Sequence, residues 1–117
     1  MALNTAIVLV DPLNDFLHPE GKINSLVRES LEATETVKHL NDLVKVARTA
    51  HIPIYYALHQ PYRPGNYDGW NNMTKSHVRN QLLKVFEEGS WGAEIGKGLE
   101  PELANGDVIV SKHWNSR

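Results

Sequence analysis

Thr5-Ala6-Ile7-Val8-Leu9-Val10-Asp11-Pro12 is the stretch from which the fold is read. Residues 5–10 form a continuous, β-branched apolar run. A strand covered on one face alternates apolar with polar residues, whereas a strand buried on both faces reads without a break. The run therefore predicts a strand inside a covered sheet, and Asp11-Pro12 ends it as an ordinary turn start. It falls far short of the ~18 apolar residues that span a bilayer. No basic segment precedes it and no small-residue cleavage site follows it, so it is not read as a signal peptide. No membrane contact is expected, and a cytoplasmic location is the default.

Outward from this strand, residues 11–30 carry Pro12, Pro19 and Gly21 and are expected to form a long loop. Residues 31–50 predict one helix, with Ala33, Val37, Leu40, Val44 and Ala47 as its apolar stripe. Ile52-Pro53-Ile54-Tyr55-Tyr56-Ala57-Leu58 predicts a second strand; proline is tolerated at a strand start. Residues 59–73, rich in Pro, Gly, Asn and aromatics, predict a second loop. A helix is expected over 76–88, with Val78, Leu82, Val85 and Phe86 inward and Gly89 as its stop. Residues 92–99 add a short helix, and Asn105-Gly106 turns the chain into Val108-Ile109-Val110, a third strand. Strand, helix, strand, helix, strand argues for an α/β fold with a parallel sheet and crossover helices. There is no internal repeat, low-complexity tract or linker.

Composition bounds the function. The 117 residues fit one domain, and 41% are hydrophobic, too many for a disordered chain. Lys plus Arg number 12 against 14 Asp plus Glu, for a formal net charge of −2. Nucleic-acid binding, which needs a basic excess, is not expected. The chain has no Cys, which removes disulfides, thiolate zinc sites and a cysteine nucleophile from these residues.

Ligands of open parallel α/β sheets bind outside the carboxyl ends of the strands. Asp11, His59 and Ser111-Lys112 close the three expected strands, and parallel strands bring these ends to one edge. An acid and an ammonium one or two strands apart can then meet across a pocket. Taken singly, Asp11 reads as a turn residue and Lys112 as a surface lysine; their matched positions single them out. Other chemistries lack their signatures. Pro12-Leu13-Asn14-Asp15 follows the first strand where a dinucleotide fold needs glycines, and no phosphate loop is present. The six His show no ligand spacing, so no metal is expected. Tyr62, Tyr67, Trp70 and Trp91 lie in the loops near this edge, where aromatics either wall a small-molecule pocket or cap the sheet.

Several of these segments together resemble the isochorismatase-like cysteine hydrolases. Val8-Leu9-Val10-Asp11-Pro12-Leu13-Asn14-Asp15-Phe16 resembles the family's opening motif, and Pro19-Glu20-Gly21 the loop that follows. Asn41-Asp42-Leu43 and Ala47-Arg48-Thr49-Ala50-His51-Ile52-Pro53-Ile54 are similar to its first helix and second strand, with His51 where the family usually has Gly. Gly89-Ser90-Trp91-Gly92-Ala93-Glu94-Ile95 resembles its Gly-x-x-Gly-Ala-Glu-Ile segment. Asp107-Val108-Ile109-Val110-Ser111-Lys112 resembles its third strand and catalytic lysine. The likeness covers nearly the whole chain, with the motifs in the family's order.

The resemblance implies a three-layer α/β/α, Rossmann-like sandwich around a mainly parallel six-stranded sheet, incomplete here on its C-terminal side. It implies an Asp-Lys-Cys triad, in which Asp11 takes the thiol proton and Lys112 favours the thiolate. Phe16, His59, Trp70 and Trp91 would line the pocket of a small amide or vinyl-ether substrate. The family's Cys follows a fourth strand, so the chain is expected to be the N-terminal part of one domain and inactive alone. Metal-binding members carry Asp-x-His where this chain has Ala57-Leu58-His59, so neither metal nor cofactor is expected. The alternative expectation is a non-catalytic interaction module that forms homo-oligomers or joins a relative. Isolated, the first strand would be an exposed edge, and marginal stability or aggregation would follow.

Overall fold

The computed structural model describes residues 4–113. Three parallel strands, β1 (Ile7–Val10), β2 (Ile54–His59) and β3 (Val108–Lys112), form one sheet in the order β1-β2-β3. Ile7 pairs with Ile54 and Val10 with Ala57, while Tyr55 pairs with Val108 and His59 with Lys112. Helices α1 (Asn14–Leu17), α2 (Asn24–Ala33) and α3 (Thr36–Thr49) connect β1 to β2. Helix α4 (Lys75–Leu83) and two short 3-10 turns, Trp91–Ala93 and Leu103–Asn105, lie between β2 and β3. The expected α/β class with a parallel sheet is what the chain adopts.

One core joins Leu9, Ile54 and Tyr56 of the sheet to Val44 and Ala47 of α3 and to Leu99. The other joins Leu13, Ile23, Val85 and Phe86 beside the strand ends. Behind the first core, the Arg48 guanidinium forks onto the Asp107 carboxylate at 2.9 and 2.7 Å. That pair ties α3 to the start of β3.

Several elements differ from the sequence reading. The segment 11–30 holds α1 and the start of α2, because its prolines and Gly21 precede α2 instead of interrupting it. A Cβ at Gly21 would lie 2.3 Å from the Asn14 carbonyl oxygen, so the glycine lets the chain pass close over α1. The single helix expected over 31–50 is broken at Thr34-Glu35, with Glu35 in the left-handed region at φ 49°. Of its stripe, Val44 and Ala47 are buried, Leu40 is half-buried, and Ala33 and Val37 are exposed. The helix expected over 76–88 ends at Leu83, where Lys84 at φ 51° takes the place of a terminating glycine. Val85 and Phe86 are buried beyond its end, and Val78 and Leu82 on it are exposed. In place of the short helix expected over 92–99, Trp91–Ala93 forms a 3-10 turn.

Strand β1 was expected to be buried on both faces. Leu9 is buried against α3, but Val8 is 61% and Val10 56% exposed. Its apolar run marks a strand with two apolar faces, only one of which the described residues cover.

Candidate functional site

Asp11 follows β1 directly, with its backbone in the left-handed region at φ 51°. Aspartate is among the few residues that adopt this conformation with little strain. The turn aims its carboxylate across the end of β2. Asp11 Oδ1 accepts from the His59 backbone N–H at 2.6 Å, and Lys112 Nζ donates to Asp11 Oδ2 at 2.7 Å. Strands β1 and β3 stand on either side of β2, roughly 10 Å apart, a gap that a lysine and an aspartate side chain span together. Both side chains are largely buried, at 15% and 17% exposure. The sheet order, and not the sequence distance, brings residues 11 and 112 together.

Cavities open beside this pair. One of about 350 Å³ is lined by Asp11, Pro12 and Phe16, with Val27, Leu31 and Leu40 opposite. Another of about 220 Å³ is lined by His59, Phe86, Leu13, Ala93 and Ser111. A third of about 320 Å³ lies between Lys112, His113, Gln60 and Arg63. The Phe86 ring stands between Phe16 and His59, with centroids at 5.3 and 5.1 Å. A larger groove, about 470 Å³, runs between α2, α3 and Gly96–Leu99, and neither Asp11 nor Lys112 lines it.

The structure thus brings Asp11, Lys112, His59 and Phe16 to one edge. The two tryptophans sit in other surroundings. Trp70 packs edge-on against His77 at 5.2 Å and Tyr67 at 6.1 Å. Trp91 meets His18 edge-on at 4.8 Å, and its carbonyl accepts from the Asn14 side chain. Neither lines the cavities at Asp11 and His59. Tyr67 is buried at the centre of the loop aromatics; burial pushes its hydroxyl above the ordinary value, and Tyr62 adds to this. Among the described residues, no group of three His, Asp or Glu side chains converges as metal ligands do.

Sequence reasoning missed Asp15. Its carboxylate is 2% exposed and accepts from the backbone N–H of Lys22 at 3.1 Å and of Phe86 at 2.8 Å. Gly92 lies against it so closely that a Cβ there would be 2.2 Å from Asp15 Oδ1. Asp15 therefore fixes the turn that presents Phe86 to the cavities. The available signal was an acid directly before Phe16 within a buried segment.

The sequence-family model described as the isochorismatase domain matches residues 5–116. No curated protein matches the chain. Among solved structures, the N-carbamoylsarcosine amidase from Thermoplasma acidophilum is similar, with a TM-score of 0.52 and 24% identity. The match covers 92% of this chain and 51% of that one, so the chain spans about half the length of the solved relative. At that identity the likeness speaks for the fold. No described helix is long and apolar enough to cross a membrane.

Proposed function

The chain belongs to the isochorismatase domain family, and on that premise we propose that Asp11 and Lys112 are the acid–base and cationic members of a hydrolase site for a small amide or vinyl ether. The observation that carries this reading is the 2.7 Å contact between Lys112 and Asp11 at the strand ends. A carboxylate fixed by a backbone N–H and an ammonium is positioned to take a proton from an attacking group. The ammonium steadies the anion so formed. Phe16 and His59 wall the substrate; Trp70 and Trp91, which line neither cavity, are given no part in this reading. The ligand is a small molecule, neither nucleic acid nor cofactor is required, and the setting is cytoplasmic.

The attacking group is the missing part. The family's amidases use a cysteine thiol, and none of the 117 residues is Cys. In this reading, residues 1–117 are one isochorismatase-like unit that does not hydrolyse amides by itself. Isochorismate is the substrate for which these residues lack least, because vinyl-ether cleavage needs a proton and water instead of a thiolate.

The test incubates the purified chain with small amides, N-carbamoylsarcosine among them, and with isochorismate. No amide cleavage is expected. Amide turnover that disappears in Asp11→Ala would overturn the claim of inactivity and keep the site. Turnover that Asp11→Ala leaves unchanged would overturn the site. A second reading, a non-catalytic interaction module, is favoured by the exposed apolar side chains on one face of the sheet.

A further inference from the structure

Phe86 is a bulky aromatic residue in the left-handed backbone region, at φ 57°, and it is 1% exposed. Phenylalanine rarely takes that conformation, and strain of this kind collects at ligand sites, where the surroundings over-determine it. The Phe86 N–H donates to the buried Asp15 carboxylate at 2.8 Å, and the Phe86 carbonyl accepts from the Tyr62 N–H at 2.8 Å. Gly92 presses on the same carboxylate, where any Cβ would collide. The Phe86 backbone is thus gripped on both sides, and the grip sets the place of its ring. The ring walls the cavity of about 220 Å³, with His59 and Ser111 as polar lining and Leu13, Leu58 and Ile109 as apolar lining. Among the described residues, no Asp, Glu, Lys or Arg lines it. A whole ligand usually needs about 300 Å³ or more, while an apolar cavity of about 150 Å³ takes up benzene. The cavity therefore fits one ring-sized part of a ligand. It adjoins the Asp11–Lys112 contact: the His59 N–H donates to Asp11 at 2.6 Å, and Ser111 precedes Lys112.

We infer that Phe86 is a specificity-determining residue of this site and that Asp15 is its positioning residue. The inference rests on the hydrolase reading and adds the class of ligand to it. That ligand is a small amide whose substituent entering this cavity is uncharged, apolar and no larger than one ring. A charged substituent would lose its water there without gaining a partner. A flat one gains ring-to-ring contact with Phe86. The Phe86 ring is backed by Phe16 at 5.3 Å and flanked by His59 at 5.1 Å. With its backbone held by Asp15, this wall does not give way to a larger substituent.

Titration of isotope-labelled chain with benzamide and 2-naphthamide, followed by NMR, tests this. Both amides are expected to bind saturably, benzamide more tightly, with intermolecular contacts to the Phe86 ring of the wild-type chain. Phe86→Leu, which removes the ring, is expected to shift the affinity ratio toward 2-naphthamide by about tenfold. Asp15→Asn, which frees the ring to move, is expected to shift it the same way by less. Val44→Ala, in the other core, is expected to lower the melting temperature and leave the ratio unchanged, which separates positioning from a general loss of stability. The wild-type contacts need no variant, so they decide the inference even where Phe86→Leu fails to fold. Contacts confined to residues other than Phe86, no saturable binding of either amide, or a ratio that Phe86→Leu leaves unchanged would overturn it. The hydrolase reading fails differently: both affinities then stay at the wild-type level in Asp11→Ala while the Phe86 contacts remain.

Discussion

Asp107 is a carboxylate with no exposed side-chain surface. It accepts from Arg48, from the backbone N–H groups of Ile54 and Glu102 at 2.9 and 2.8 Å, and from the Asn105 side chain. Burial pushes this carboxyl up. The hydrogen bonds from Glu102, Arg48 and Ile54 outweigh burial and hold it below its ordinary value of 3.8. Burial likewise opposes the Arg48 charge, and Asp107 and Tyr56 outweigh it, so its pKa is raised. A carboxylate lower in the folded than in the unfolded chain stabilises fully above the unfolded value. That stability is lost as pH falls through the folded value. Asp107→Asn is therefore expected to cost about 1–3 kcal/mol at neutral pH, because it leaves Arg48 with Glu102 as its remaining carboxylate partner. Below about pH 4 the gap between wild type and variant should narrow. Urea unfolding at both pH values measures this, and a gap independent of pH would reject the assignment. Asp11 differs in kind: its partners come from the ends of the strands on its far side, so it closes the site instead of bracing the core.

At the scale of elements, the helix ends carry the lesson. Helix α3 closes with the Ile52 N–H on the Ala47 carbonyl at 2.9 Å and the His51 N–H on the Arg48 carbonyl at 3.3 Å. Helix α4 closes alike, with Val85 on Asn80 and Lys84 on Gln81. This paired closure places one residue in the left-handed region, usually Gly. Here the residues are His51 at φ 55° and Lys84 at φ 51°. His51→Gly is expected to stabilise the fold by about 1 kcal/mol, and His51→Val to destabilise it, in thermal unfolding. An equal response to both substitutions would contradict the strain argument. The same residues explain what the sequence hid. Helix ends are read from glycines, and at positions 35, 51 and 84 there are none. The strands were legible because their apolar runs are dense and end at polar residues. Helix α2 was not, because Pro19 and Gly21 just ahead of it read as loop, and of its apolar residues only Val27 and Leu31 are even half-buried.

Across the whole molecule, the sheet order made the candidate site legible. Asp11 and Lys112 each close an apolar run, and parallel pairing through β2 converts that pattern into contact. Asp15 stayed hidden because its partners are backbone N–H groups, which have no signature in sequence. The bare face stayed hidden as well, since an apolar run reads the same whether or not the chain covers both its sides. The chain matches the isochorismatase domain along residues 5–116 while spanning about half of its solved relative. Whether Asp11 and Lys112 form a ligand site is tested most directly by titrating isotope-labelled chain with N-carbamoylsarcosine and isochorismate while following backbone amide resonances. The expected result is saturable shifts at Phe16, His59 and Lys112 that vanish in Asp11→Ala. Shifts that persist unchanged in Asp11→Ala, or saturable shifts confined to the groove between α2 and α3, would contradict it.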